Sequence, residues 1–362
     1  MALLGFWTAG FGRIPGICTP SVRADINAFN DEDDGLPAYM PNALYMDANE
    51  EMLWTFPDRA STSDSIIVGF WGRMTGTGDD ESPWYLRQIG TNNYLRIDAS
   101  GTAHEITVRS ATGPTSGTVT TFGTGTGVDP DEYHFYEIEW LPSDTVGIVR
   151  LRVDGVPPSG WVDQVNVDTN ADVASTELTI GLEQRSDANM FGILAAVCAL
   201  DTSGGSNDSL PGICRFPMLT VVDDLENDMT GTDGNSVDNF LLIDDSPDEL
   251  VSASYGTGGI SSAVAGDRQR SNVDDLSALG LEAGSTIVAV NAAIYGQSDT
   301  GATETLEIGL NSNAAEASGT LDLLGGGDFG SIHHTIETDP DTGVAWTEAG
   351  VDAVTVFAEI PA

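Results

Sequence analysis

Residues 133–141 read Tyr133-His134-Phe135-Tyr136-Glu137-Ile138-Glu139-Trp140-Leu141, and a few residues on come Arg150-Leu151-Arg152-Val153-Asp154-Gly155. Towards the end of the first run the side chains alternate in kind. Ile138 and Trp140 fall on one face and Glu137 and Glu139 on the other, the period of two of a strand with one buried face. The two carboxylates are therefore expected to point outward as solvated strand residues. Asp154-Gly155 is a hairpin turn on physical grounds, because glycine accepts the positive φ that primed turns require.

Working outward, further short runs of β-branched and aromatic residues lie at 65–73, 84–89, 94–99, 105–110, 147–154, 177–183 and 193–200. They are separated by Ser, Thr and some of the 42 glycines, the punctuation of an all-β sandwich. Residues 203–217 are rich in Gly, Ser, Asn and Pro, and strand-like runs resume at 218–222, 240–244, 286–295 and 303–311. Helical signal is confined to 273–281, where Asp274 and Asp275 suit a first turn and Gly280 and Gly284 a stop. The expected organisation is an N-terminal docking segment at 1–35, a β-sandwich at 36–212 and a second, smaller β-sandwich at 213–362.

The chain has 362 residues with 56 acidic against 13 basic side chains, a formal net charge of −43. Such a surface repels nucleic acid and anionic membranes, which excludes both as partners. All the basic residues are arginine. Adaptation to brine or seawater, where salt screens the self-repulsion, and a GC-rich genome each account for that bias. A hydrophobic content of 40 % with 7 Trp, 12 Phe and 8 Tyr supplies a core, so disorder is not expected. No apolar run approaches the length of a membrane span, and the N-terminal apolar stretch lacks a secretion signal's basic region. Cys18, Cys198 and Cys214 have neither disulfide-framework nor zinc spacing and read as buried thiols.

Glu139-Trp140, Arg150 to Gly155, Leu178-Thr179-Ile180-Gly181 and Ala196-Val197-Cys198-Ala199-Leu200-Asp201 together resemble, in order and spacing, the concanavalin A-like, laminin-G-type jelly roll across about residues 40–210. In that family a Trp-bearing strand precedes one ending in a Val-Asp-Gly turn, and an Ile-Gly strand leads to the closing strand. At the C-terminus, Glu337-Thr338-Asp339-Pro340-Asp341-Thr342-Gly343-Val344-Ala345-Trp346-Thr347 resembles the closing segment of structural proteins from tailed phages of marine and alphaproteobacterial hosts. It is a turn by its chemistry, with Trp346 placed as a core anchor. Those proteins open with an apolar, aromatic-rich N-terminus, which Leu3, Leu4, Phe6, Trp7 and Phe11 match; such residues form an exposed patch unless docked on the chain or a partner.

The chemistry of an enzyme is not apparent. Jelly-roll glucanases use a Glu-x-Asp-x-x-Glu strand, and residues 137–142 lack its central Asp and final Glu. Four histidines, His104, His134, His333 and His334, come without a nucleophile elbow or metalloprotease helix. The glycine-rich stretches 123–127 and 325–330 superficially resemble phosphate loops but open no helix and carry no lysine, so they read as plain loops. Asp223, Asp224, Asp228, Asp233, Asp238, Asp244 and Asp245 offer hard oxygen ligands to Ca²⁺ without the spacing of an EF-hand; no other cofactor is implied.

The function these readings imply is a non-enzymatic, multicopy virion component of a tailed virus: a capsid decoration, head fibre or tail-associated protein. It would assemble with other virion proteins and with itself, and the symmetry of such appendages suggests a trimer. The alternative is a carbohydrate-binding module recognising host surface glycans, with Trp71, Trp84 or Trp161 as stacking platforms.

Overall fold

The computed structural model describes residues 3–8, 44–45, 51–56, 58–76, 81–100, 104–113, 119–129, 131–170, 177–185, 190–203, 210–214, 219–232, 234, 236–243, 259–276, 285–296, 304–313, 315–323 and 330–362. The described residues divide into two units, 3–214 and 219–362.

The first unit is a two-sheet antiparallel β-sandwich. Its strands are β1 (Leu3–Thr8), β2 (Leu44–Tyr45), β3 (Glu51–Thr55), β4 (Ile66–Gly76), β5 (Glu81–Gln88), β6 (Tyr94–Ser100) and β7 (Glu105–Ala111). They continue as β8 (Val119–Thr126), β9 (His134–Leu141), β10 (Gly147–Val153), β11 (Gln164–Val167), β12 (Ile180–Arg185) and β13 (Met190–Asp201). One sheet runs β1-β13-β4-β9-β10-β11, with β2 also on β13; the other runs β3-β12-β5-β6-β7-β8. Leu3–Thr8, within the segment 1–35 expected to dock, is a strand of the first sheet, paired along β13.

Alternation sets the core. Phe70 of β4, Tyr136 of β9 and Trp84 of β5 meet between the sheets, with Phe70–Trp84, Phe70–Tyr136 and Trp84–Tyr136 centroids 4.8, 5.3 and 5.0 Å apart. Each large ring removed from water contributes on the order of 2–3 kcal/mol. Gly72 makes the room: a Cβ there would lie 2.5 Å from the Trp84 ring. The link from β10 to β11 crosses to the other sheet, where Thr126 and Ser159 exchange backbone bonds of 2.8 and 3.2 Å. Residues 123–126, expected as loop, are part of β8. The bare faces of Gly123 and Gly125 receive Trp161 and Pro158, so these glycines serve packing instead of a turn.

The second unit holds β14 (Val221–Asn227), β15 (Thr230–Gly231), β16 (Ile260–Ser261), β17 (Arg268–Val273), β18 (Val290–Gly296), β19 (Glu304–Ser312), β20 (Ala315–Leu323), β21 (Gly330–Ile336) and β22 (Val354–Glu359). A five-stranded sheet β14-β17-β22-β19-β20 is faced by the β18-β21 ribbon, with Leu306, Ile308 and Leu310 packed in one core with Ala292 and Ile336. Residues 337–347 form the expected turn. Trp346 is buried and its Nε1 donates to Ile336 O at 2.8 Å, and Thr347 Oγ1 caps helix α1 (Glu348–Asp352) by accepting from Gly350 N at 3.0 Å.

One expectation fails here. Of the strand expected at 240–244, residues 240–242 lie in a 3-10 turn, Asn239–Leu242, because Asp238 in the left-handed region (φ 57°) breaks the extended path. Of the helix expected at 273–281, Val273 closes β17 and most of the rest, 277–281, lies outside the described residues. No helix among the described residues is long and apolar enough to cross a membrane.

Candidate functional site

The β9–β10 register places Glu139 opposite Arg150 and Glu137 opposite Arg152. The same alternation that sends Tyr136, Ile138 and Trp140 into the core puts these four on the outer face of the first sheet. They are on the expected face, but the carboxylates are not solvated: Glu137 is 0 % and Glu139 3 % exposed. Residues 210–214 cross over them. Gly212 N donates to Glu137 Oε1 at 2.7 Å, and Trp71 Nε1, on the same face of β4, donates to Cys214 O at 2.8 Å.

Around this crossing lies an open cleft of about 290 Å³ lined by Glu137, Arg150, Arg152, Gly155, Leu210 and Gly212. Arg150 Nη1 is 2.6 Å from Glu139 Oε2, and Arg152 grips Asp163 bidentately at 2.7 Å on both oxygens. Trp161 Nε1 adds a bond of 3.0 Å to Asp163 Oδ1. The Arg152 hydrogen bonds hold the Asp163 carboxyl below its ordinary range and raise the guanidinium. Burial pushes Glu137 up, tempered by the Gly212 N–H and the Arg152 charge. Glu137 Oε2 is buried and has no hydrogen-bond partner among the described residues, a costly condition for a carboxylate oxygen and one that a ligand hydroxyl would relieve.

A second polar cluster covers the outer face of the other sheet. Arg109 Nε and Arg96 Nη2 lie 3.1 and 3.4 Å from the Asp98 oxygens. Arg87 pairs with Glu183 at 3.4 Å and sits 5.3 Å over the Tyr94 ring. Tyr85 and Tyr94 are 3 % and 5 % exposed, so this face offers charges matched to one another and rings closed from solvent.

The expected stacking platforms are not available. Trp84 is in the inter-sheet core at 0 % exposure, and Trp71 and Trp161 are at 7 %. Trp71 packs on Phe135 at 5.6 Å, and Trp161 packs on Gly123; each ring gains more from burial than from display. Leu3, Leu4, Phe6 and Trp7 lie in β1, and Phe11 lies outside the described residues. For the Asp run, no group of three or more His, Cys, Asp or Glu among the described residues is placed to hold a metal ion. Asp224 instead accepts from Gln269 Nε2 at 2.6 Å, and Asp233, Asp244 and Asp245 lie outside the described residues.

Sequence reasoning singled out Glu137 and Glu139 but not Arg150 and Arg152 as their partners. The signal was present in the alternation of both strands, since the short link 142–146 folds β10 back antiparallel on β9 and sets those two arginines on one face across from the two glutamates. Gly212 and Asp163 carried no such signal.

No protein-family model and no curated protein matches the sequence. Among solved structures, lectin I-B4 from Griffonia simplicifolia in its metal-free form is similar at 10 % identity and TM-score 0.34, over 54 % of this chain and 99 % of that one. An endo-1,3-beta-glucanase from Streptomyces sioyaensis is similar at 11 % and 0.33, over 55 % and 96 %. The Emp47p carbohydrate recognition domain is similar at 11 % and 0.29, over 52 % and 99 %.

Proposed function

We propose that the first sandwich is a carbohydrate-binding module that takes a neutral, hydroxyl-rich ligand in the cleft beside Glu137. The observation that carries this reading is Glu137 Oε2, without a hydrogen-bond partner among the described residues, beside two part-exposed guanidiniums. A carboxylate that accepts and arginines that donate match adjacent sugar hydroxyls, each of which both donates and accepts. Charge narrows the ligand class. Glu137, Glu139 and Asp163 outweigh Arg150 and Arg152 locally, and the chain carries −43 in all, so an anion is repelled.

Binding without turnover is part of the proposal, because Glu139 is held by Arg150 and Glu137 keeps one oxygen on Gly212. A glycan array followed by calorimetry on the intact protein tests it. The expected result is saturable binding of neutral glycans, lost at least tenfold in Glu137→Gln. Binding confined to acidic glycans, or none across the array, would overturn the ligand class, and release of reducing ends would overturn the absence of turnover.

A second reading, a multicopy component of a virus particle, is supported by the resemblance of residues 337–347 to phage structural proteins. Mass spectrometry of purified particles tests that role, and it is compatible with the cleft's ligand.

A further inference from the structure

Two of the three cysteines meet at the cleft's covering segment. Cys198 of β13 stands opposite Gly69 of β4 in register, and Gly69 stands opposite Glu137 on its other side, so the thiol shares the outer face with the cleft. A Cβ on Gly69 would lie 2.9 Å from Cys198 Sγ, which shows the thiol leaning across the glycine. Cys214 is brought there by two separate anchors, the Trp71 indole on its own carbonyl and the Glu137 carboxylate on Gly212 N. The neighbouring Cys214 thiol and burial together push the Cys198 thiol above its ordinary range. Both cysteines are free, Cys198 buried and Cys214 half-buried.

We propose that Cys198 and Cys214 are a dithiol that closes reversibly to a disulfide, stapling residues 210–214 onto the outer face of the first sheet. The oxidant is a small-molecule disulfide. The more accessible Cys214 thiolate attacks it, forming a mixed disulfide and releasing one thiol; the Cys198 sulfur then attacks the Cys214 sulfur, giving its proton to solvent and releasing the second thiol. The protein loses two hydrogens, and the oxidant is reduced to two thiols. Because Gly212 and Leu210 line the cleft, the staple fixes one of its walls. Control of ligand entry by this wall rests on the carbohydrate reading; the readouts that test the staple need no ligand.

The intact protein is incubated with oxidised glutathione, its remaining thiols are blocked, and it is cleaved at arginine. Residues 186–215 then leave as one peptide carrying both cysteines, separate from Cys18. The expected result is that this peptide loses two hydrogens and escapes blocking, that dithiothreitol reverses the change, and that Cys214→Ser and Cys198→Ala each abolish it. Hydrogen exchange at the Gly212 amide is expected to slow about tenfold in the oxidised form. A peptide that stays fully blocked, a pairing through Cys18, or Gly212 exchange unchanged by oxidation would each overturn the proposal. The glycan array can fail while these readouts succeed, so the two ideas fall separately.

Discussion

The main-chain N–H of Gly212 donates to Glu137 Oε1 at 2.7 Å, joining positions 75 residues apart. That bond turns a strand residue that alternation places at the surface into a buried carboxylate, and it fixes where residues 210–214 cross the sheet. The site therefore depends on a long-range contact between a side chain and a backbone group flanked by Pro211 and Ile213 in an irregular segment.

Replacing Glu137 separates its structural role from its binding role. Glu137→Gln keeps an oxygen for Gly212 and removes a buried charge, so folding stability at neutral pH should stay level or rise, within about 1 kcal/mol. Glu137→Ala leaves Gly212 N without its partner and should cost about 1–3 kcal/mol. The pH dependence has a definite sign. Because burial raises the Glu137 pKa above 4.5 in the folded state, the folded chain holds more protons between 4.5 and that value, and stability falls as pH rises through this range. Urea titrations of wild type and Glu137→Gln across that range should show the difference; identical slopes would count against a buried, ionising Glu137.

His134 and Asp154 make a second pH-sensitive element, at the base of the β9–β10 hairpin. His134 Nδ1 is 2.7 Å from Asp154 Oδ2, and its Nε2 is 2.9 Å from Asp129 O. Burial opposes the imidazolium, but the Asp154 bond and charge outweigh it and hold the pKa above 6.5. Burial likewise opposes the Asp154 carboxylate, yet His134 and the Phe135 N–H hold it below 3.8. The histidine's contribution is complete below 6.5 and is lost as pH climbs through its folded value. The aspartate's is complete above 3.8 and is lost as pH falls through its own. The melting-temperature gap between wild type and His134→Gln should be widest between those limits and narrow on both sides. Exposure of Asp154 keeps the effect at or under about 1 kcal/mol.

How much of this was legible follows from range in sequence. The β9 and β10 strands, their facing and the Asp154-Gly155 turn are local patterns, and the turn's Asp154 indeed has φ 52°. The burial of Glu137 and Glu139 was not legible, because it depends on residues 210–214, a loop whose composition signals only irregular backbone. Trp161 misled for a related reason: a tryptophan in a loop reads as displayed, and only Gly123 on a distant strand reveals the slot it fills. Residues 239–242 carry a strand's apolar composition, Phe240, Leu241 and Leu242, while Asp238 sets a backbone that composition does not express.

Gly72 should tolerate no side chain. Its would-be Cβ lies 2.5 Å from one Trp84 ring atom and 2.7 Å from the next, and that indole is wedged between Phe70 and Tyr136. Gly72→Ala should cost about 1–3 kcal/mol by overpacking, read as a lower urea midpoint with an unchanged slope. Stability equal to wild type would mean that the Trp84 ring moves more freely than this packing allows.

Asp339 carries the corresponding prediction for the second unit. Its carboxylate accepts from Asp341 N and Thr342 Oγ1, both at 3.0 Å, while its backbone oxygen takes the Gly343 N–H at 2.8 Å. The turn so closed presents Trp346 to the core. Burial works against the charge, but the donors prevail and hold Asp339 below 3.8. Its stabilisation is therefore present above 3.8 and lost as pH falls through the lower folded value. Asp339→Ala should destabilise the second unit by about 1–2 kcal/mol at neutral pH, the scale of a local side-chain cap on backbone donors, and the loss should shrink in acid. The fluorescence of seven tryptophans would blur the readout, so hydrogen exchange over residues 337–347 is the better measure. Protection there should drop in Asp339→Ala, and protection equal to wild type would overturn the role given to this carboxylate.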